Sequence, residues 1–106
     1  MNTLMRNRYE ARARVIKALA HPTRLALVDA LARRERCVCD LAKRTGADMS
    51  TVSKHLGLLK AAGFVEDRKR GLQVFYRLRC PCLTNFFGCV EAVLRASARR
   101  QAALTA

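Results

Sequence analysis

Tryptophan is absent from this chain, histidine and proline occur twice each, and only 8 of its 106 residues are acidic. No apolar run approaches the roughly 20 residues that a membrane helix needs, so a membrane span is excluded. The stretch MNTLMRNRYEARARVIKALAHP lacks the continuous apolar segment of a secretory leader, and a cytoplasmic location is expected. There is no C-x-x-C pair and no strand–helix–strand pattern of a thiol oxidoreductase, and the length leaves little room for a catalytic cleft. The shortage of acid also excludes a disordered acidic tail. These absences leave a single domain, residues 1–106, that is not expected to be an enzyme.

Lysine and arginine number 21, which sets the formal charge at +13 and points to a polyanionic partner. The cations are spread along the chain and not gathered on one amphipathic helix, so nucleic acid is expected and a membrane surface is not. Hydrophobic residues make up 51%. That suffices for a small core, but a lone core of this size is marginal, and dimerisation would add stability.

Hydrophobic periodicity organises the chain. Met5, Tyr9, Ala13, Ile16 and Ala20 recur at helical spacing and predict a helix over 8–20. His21-Pro22 breaks it, and Pro22 suits the first position of a second helix reaching about Arg34. Its expected buried stripe is Leu25, Val28, Leu31 and Ala32, with Asp29 placed to pair with Arg33. A short third helix, 38–44, carries Val38, Leu41 and Ala42 on one face. Thr45-Gly46-Ala47-Asp48 reads as a turn with Asp48 as N-cap of a fourth helix, 49–62, whose core side is Val52, Leu56 and Leu59 and whose end is marked by Gly63. Two helices joined by a tight glycine-containing turn make residues 38–62 a candidate helix-turn-helix. The fourth helix's other face holds Ser50, Ser53, Lys54 and Gly57, small or polar groups suited to close approach to a groove.

Beyond Gly63 the period changes to two. Residues 64–68 and 72–79 read as strands joined by a basic turn, Lys69-Arg70-Gly71, with Val74, Tyr76 and Leu78 on one side. A hairpin over 64–79 tipped by Arg68, Lys69 and Arg70 suits a phosphate backbone or a minor groove, as the wing of a winged helix. The last helix, 83–103, has two adjacent apolar stripes, Leu83, Phe87, Val90, Leu94 and Cys82, Phe86, Cys89, Val93. Together they are wider than one small domain needs, which suggests a dimer contact through terminal helices.

Five cysteines are present: Cys37, Cys39, Cys80, Cys82 and Cys89. The number is odd and the export signal is missing, so metal or redox chemistry is expected before structural disulfides.

The segments LAHPTRLALVDAL, CVCDLA and STVSKHLGLLKAAGFVEDRKRGLQVFYRL resemble the ArsR/SmtB family of small metalloregulatory repressors, closest to its arsenite-responsive members, over Ile16 to Leu78. The resemblance implies a mainly α winged helix-turn-helix: four helices, a β-hairpin wing and a fifth helix. It implies a homodimer joined through its first and last helices, here by Ile16, Phe86, Phe87, Val90 and Leu94. Such a dimer represses transcription from double-stranded operator DNA, with two reading helices in successive major grooves about one turn apart. Ser50, Thr51, Ser53, Lys54 and His55 match the recognition helix, and Lys69 and Arg70 match the wing. His55 either contacts phosphate or packs as a structural histidine; His21 is expected to cap a helix.

The family's effector is thiol-bound. As(III) or Sb(III) is the expected one, with no organic cofactor; a Cd/Pb-type ion, or thiol-redox or persulfide sensing, is the alternative. Cys37-Val38-Cys39-Asp40 matches the family's CVCD motif, and a helix N-terminus lowers a thiol pKa. Ala42 stands where arsenite sensors carry a third cysteine, and no cysteine precedes Cys37. Ligands are therefore expected from Cys80, Cys82 and Cys89 as a three-thiolate site, or from a site that includes Cys37 or Cys39, alone or joined to that cluster, with redox sensing or plain packing as the third reading. Seven helical residues span about 10 Å, so Cys82 and Cys89 share an ion only if the helix begins after Cys82 and the Cys80–Cys82 loop folds back. Zn²⁺ is not favoured, because the last helix offers only Glu91 and no histidine.

Overall fold

The change of hydrophobic period at Gly63 is reproduced in a computed structural model, which describes residues 1–105. Its elements are α1 (Thr3–Lys17), α2 (Pro22–Arg33), β1 (Arg36–Cys37), α3 (Val38–Thr45), α4 (Met49–Ala61), β2 (Val65–Arg70), β3 (Gln73–Leu78) and α5 (Leu83–Thr105). The fold is a mainly α winged helix-turn-helix.

Local chemistry sets the boundaries. The Asn2 side chain accepts the Met5 N–H at 2.9 Å and starts α1 five residues before the expected position. His21 caps α2 by accepting the Thr23 N–H at its Nδ1 (3.1 Å), with Pro22 in the first turn. Asp48 caps α4 by accepting the Thr51 N–H at 2.8 Å. Gly63, at φ +90°, ends α4 in a Schellman turn: its N–H donates to the Lys60 carbonyl, and that of Phe64 to Leu59, both at 3.0 Å.

α2, α3 and α4 surround one core with the sheet laid against it. Its fully buried members are Leu27, Val28, Leu41, Val52, Leu56, Leu59 and Val65, joined by Leu19, Leu31, Val38, Phe64, Tyr76 and Leu83. The α2 stripe differs from expectation. Leu27 is buried, whereas Leu25 and Ala32 are exposed, and Asp29 makes no ion pair with Arg33 among the described residues. The sequence LALVDALA supports two overlapping stripes, and packing selects the one through Leu27.

The sheet has three antiparallel strands in the order β1-β3-β2, so the hairpin gains a strand that periodicity did not reveal. Arg36 pairs with Tyr76 and Cys37 with Phe75. In the hairpin Arg70 faces Gln73, which makes Gly71-Leu72 the two-residue turn. Lys69 and Arg70 therefore lie on β2, not in the turn: Gly71, at φ +60°, takes the first central turn position, where positive φ is needed.

α1 and the body of α5 stand apart. α1 buries none of its residues and α5 buries only Leu83. The radius of gyration is 16.8 Å, against about 13 Å for a compact domain of this length. No helix is long and apolar enough to cross a membrane, among the described residues.

Candidate nucleic-acid interface and thiol pair

α4 turns Val52, Leu56 and Leu59 inward, so its opposite face is left to solvent. Ser50, Thr51, Ser53, Lys54 and Gly57 are all exposed there. The Ser50 hydroxyl donates to Asp48 Oδ1 at 2.9 Å, within the cap. His55 is half-buried and its ring stacks on His21, centroids 4.4 Å apart and tilted by 38°. Its Nδ1 is buried without a partner among the described residues. Burial, helped by His21, Arg24 and Lys54, holds its pKa below the ordinary histidine value.

The wing's cations are in two states. Lys69 is exposed and, like Lys54, makes no ion pair among the described residues. Arg68 and Arg70 both reach Glu35 Oε1, at 3.3 and 3.5 Å, and the Arg70 guanidinium lies 5.0 Å over the Phe75 ring. Glu35 precedes β1 and went unnoticed in the sequence, where it is one acid among the cations of ARRERC. Lys60 of α4 pairs with Asp67 of β2 at 2.9 Å, tying the reading helix to the wing and lowering the Asp67 carboxyl.

Cys37 and Cys39 come together: their sulfurs are 2.9 Å apart and hydrogen-bonded. Cys37 ends β1 and is the N-cap of α3, its Sγ accepting the Asp40 N–H at 3.4 Å. The hydrogen bond between them lowers the Cys37 thiol pKa and raises that of Cys39. Gln73 Nε2 donates to Cys39 Sγ at 3.9 Å. The pair opens on a cavity of about 200 Å³ whose other walls are Val38 of α3, Met49 and Ser53 of α4, and Leu72, Gln73 and Val74 of the wing. Asp40 is turned elsewhere. Its Oδ2 accepts from Arg44 Nε and from the buried Arg36, both at 3.1 Å, and the Arg44 hydrogen bond holds its pKa down. Arg36, only 5% exposed, also donates to the Ala30 carbonyl at 2.8 Å.

The other three cysteines are not gathered in this way. α5 begins at Leu83, after Cys82, and the Leu83 and Asn85 N–H groups bond back to the Cys80 and Cys82 carbonyls. Cys80 is half-buried, and Cys82 and Cys89 are exposed. No three or more His, Cys, Asp or Glu side chains form a group able to hold a metal ion, among the described residues. Cys80, Cys82 and Cys89 are thus not preassembled as a three-thiolate site within one chain.

Of the residues expected at a dimer contact, Ile16, Phe86, Val90 and Leu94 are 42–57% exposed, while Phe87 packs partly on the core. Ile16, Phe86, Phe87 and Val90 line one apolar groove between the end of α1 and α5, together with Leu19 and Leu25 of the neighbouring turn and α2.

A reading helix with a bare polar face and a basic hairpin beside it define a winged helix-turn-helix DNA-binding module. Residues 21–67 match the profile of the bacterial regulatory proteins of the arsR family. The chain is 46% identical over 75 residues to a transcriptional repressor SmtB homolog from Synechocystis, a match covering 71% of this chain and 57% of the relative. It is 41% identical over 81 residues to the HTH-type transcriptional regulator Rv0324 of Mycobacterium tuberculosis, covering 76% and 36%. The chain thus spans only about a third to three fifths of these curated relatives. Among solved structures, the homodimeric winged helix-turn-helix domain of Mb0332 from Mycobacterium bovis superposes with TM-score 0.78 at 33% identity, covering 94% of this chain and 93% of that one. The chain belongs to the ArsR family of bacterial transcription regulators.

Proposed function

We propose that this chain is a thiol-responsive transcriptional repressor that grips double-stranded operator DNA as a homodimer and lets go when a soft trivalent species, As(III) or Sb(III), engages its cysteine thiolates. Ser50, Thr51, Ser53 and Lys54 enter the major groove from α4, and Lys69, Arg68 and Arg70 follow the backbone from β2. His55 positions α4 against α2. The α1–α5 groove is covered by a second copy, a reading supported by the homodimeric state of the similar Mb0332 domain. That contact accounts for the open shape and sets the spacing of the two reading helices.

One observation carries the effector assignment: the Cys37–Cys39 sulfurs share a cavity with Ser53 of the reading helix and with the wing turn. Matter bound to these thiols pushes on both DNA-contacting elements. A trivalent site at Cys80, Cys82 and Cys89 needs sulfurs that the described residues of one chain do not bring together. The test is fluorescence anisotropy of a promoter fragment at low ionic strength, with arsenite, antimonite, Cd²⁺, Pb²⁺ or polysulfide added. Release by a thiophilic agent in wild type, lost in Cys37→Ser, supports the assignment; protein that binds no duplex, or is indifferent to every agent, overturns it. A second reading rests on the 2.9 Å sulfur contact. It is oxidation of the pair to a disulfide, with release under polysulfide alone as its mark.

A further inference from the structure

We propose that Leu72, at the tip of the wing, is an apolar wedge: it enters the minor groove and inserts part-way between two base pairs, kinking the duplex at that step. This inference rests on the DNA-binding reading above and adds a contact that the polar residues named there do not make.

The turn comes first. Arg70 faces Gln73, so Gly71 and Leu72 are the whole connection. Gly71 carries a positive φ of +60°, and no residue other than glycine has one among the described residues. That is the pattern of a hairpin turn with glycine at its first central position, which leaves the second open to any L-residue. Nothing in the backbone requires leucine, and polar residues are the usual choice in turns. Leu72 is nevertheless 101% exposed, more than any other large apolar side chain among the described residues.

Its surroundings come second. A lone exposed leucine is ordinary on a protein surface. This one is carried on a basic finger, with Arg68, Lys69 and Arg70 directly behind it on β2. It also borders the same recess as Met49 and Ser53, so the tip stands beside the first turns of α4. With α4 in a major groove, the finger meets the phosphates that border it and the tip meets the neighbouring minor groove. That groove is about 6 Å wide, which admits one side chain from a two-residue turn but not the hairpin behind it.

Leucine has no hydrogen bond to offer a base edge. Its gain is removal from water, and the apolar surface in a duplex is the faces of the stacked bases, reached by parting them. Parting is easiest at the flexible pyrimidine–purine steps, TA and CA/TG. The wedge therefore reads sequence outside the major-groove contacts, and the two wings of a dimer place two such steps symmetrically.

The test uses the full chain. Duplexes are selected from a random pool by wild-type protein and, separately, by Leu72→Ala. The wild-type pool should carry a TA or CA/TG step at a fixed distance outside each half-site; the Leu72→Ala pool should keep the half-sites and lose the step. 2-Aminopurine placed at that step of a selected duplex should brighten as it unstacks on binding wild type, stay dark with Leu72→Ala, and brighten again with Leu72→Met. Leu72→Ala should bind that duplex about tenfold more weakly. Its slope of log K against log salt should not change, since no phosphate contact is lost. Brightening that survives Leu72→Ala, weaker binding by Leu72→Ala without brightening in wild type, or a wild-type pool with half-sites and no step preference overturns the wedge alone. Wild-type protein that enriches no duplex overturns the DNA-binding reading and the wedge with it.

Discussion

Phe86→Ala separates a dimer contact from a merely exposed side chain. In one chain Phe86 is 44% exposed on the groove between α1 and α5. An aromatic residue offers about 200 Å², so about 90 Å² awaits burial, worth about 2 kcal/mol at 25 cal/mol/Å². A two-fold contact repeats the loss in the partner. The sum, about 4 kcal/mol, weakens the dimer roughly a thousandfold. Because that half of the side chain touches no core atom, the subunit should keep its helical circular dichroism. Sedimentation equilibrium over a concentration series measures the dissociation constant, and operator affinity should fall in parallel. A variant that dimerises within threefold of wild type refutes the reasoning.

The DNA face and the fold make three further predictions. Lys54→Ala should weaken operator binding and reduce the slope of log K against log salt by about 1 per chain, with thermal stability unchanged; an unaltered slope removes Lys54 from the interface. Glu35→Gln should tighten DNA binding and steepen the same slope, because Arg68 and Arg70 lose the carboxylate that competes with phosphate; equal or weaker binding shows that Glu35 instead holds the wing in its DNA-binding form. His55 has a folded-state pKa below its ordinary 6.5, so its contribution to stability is complete above 6.5 and is lost as pH falls through the folded value. Urea midpoints at pH 7.5 and 5.5 should therefore separate in wild type and converge in His55→Gln; an equal separation in both assigns the loss to other groups.

The legible parts of this fold were those with long, uncontested periodicity. α4 was readable because Val52, Leu56 and Leu59 repeat between an N-capping Asp48 and Gly63, and the surface proposed to read DNA is simply the remainder of that helix. β1 was not readable, since two residues have no period and Arg36 reads as a surface cation until its bonds to Ala30 and Asp40 bury it. The wing turn was misplaced by two residues because Gly71 marks a turn without saying which turn position it occupies. The CVCD motif was visible, but its cavity was not: Met49, Ser53, Leu72, Gln73 and Val74 come from two later segments whose meeting depends on the packing of α4 and the sheet.

The position of Cys37 raises the question of which movement frees the DNA. Its sulfur is both a candidate effector ligand and the N-cap of α3, accepting the Asp40 N–H at 3.4 Å. Loss of a good N-cap costs about 1 kcal/mol, and sulfur at this distance is a poor one. Driving a two-state equilibrium from 99:1 bound to 99:1 free takes about 5.5 kcal/mol. Uncapping α3 supplies at most a fifth of that. The rest has to come from displacing α4 or the wing across the shared cavity, or from breaking the β1–β3 pairing of Cys37 with Phe75. Cys37→Ala, which removes the cap and adds no bulk, should therefore bind the promoter fragment within about tenfold of wild type while losing its response to thiophilic agents. If the substitution alone cost a hundredfold or more in affinity, the cap would itself be the switch, and filling the cavity would be irrelevant to release.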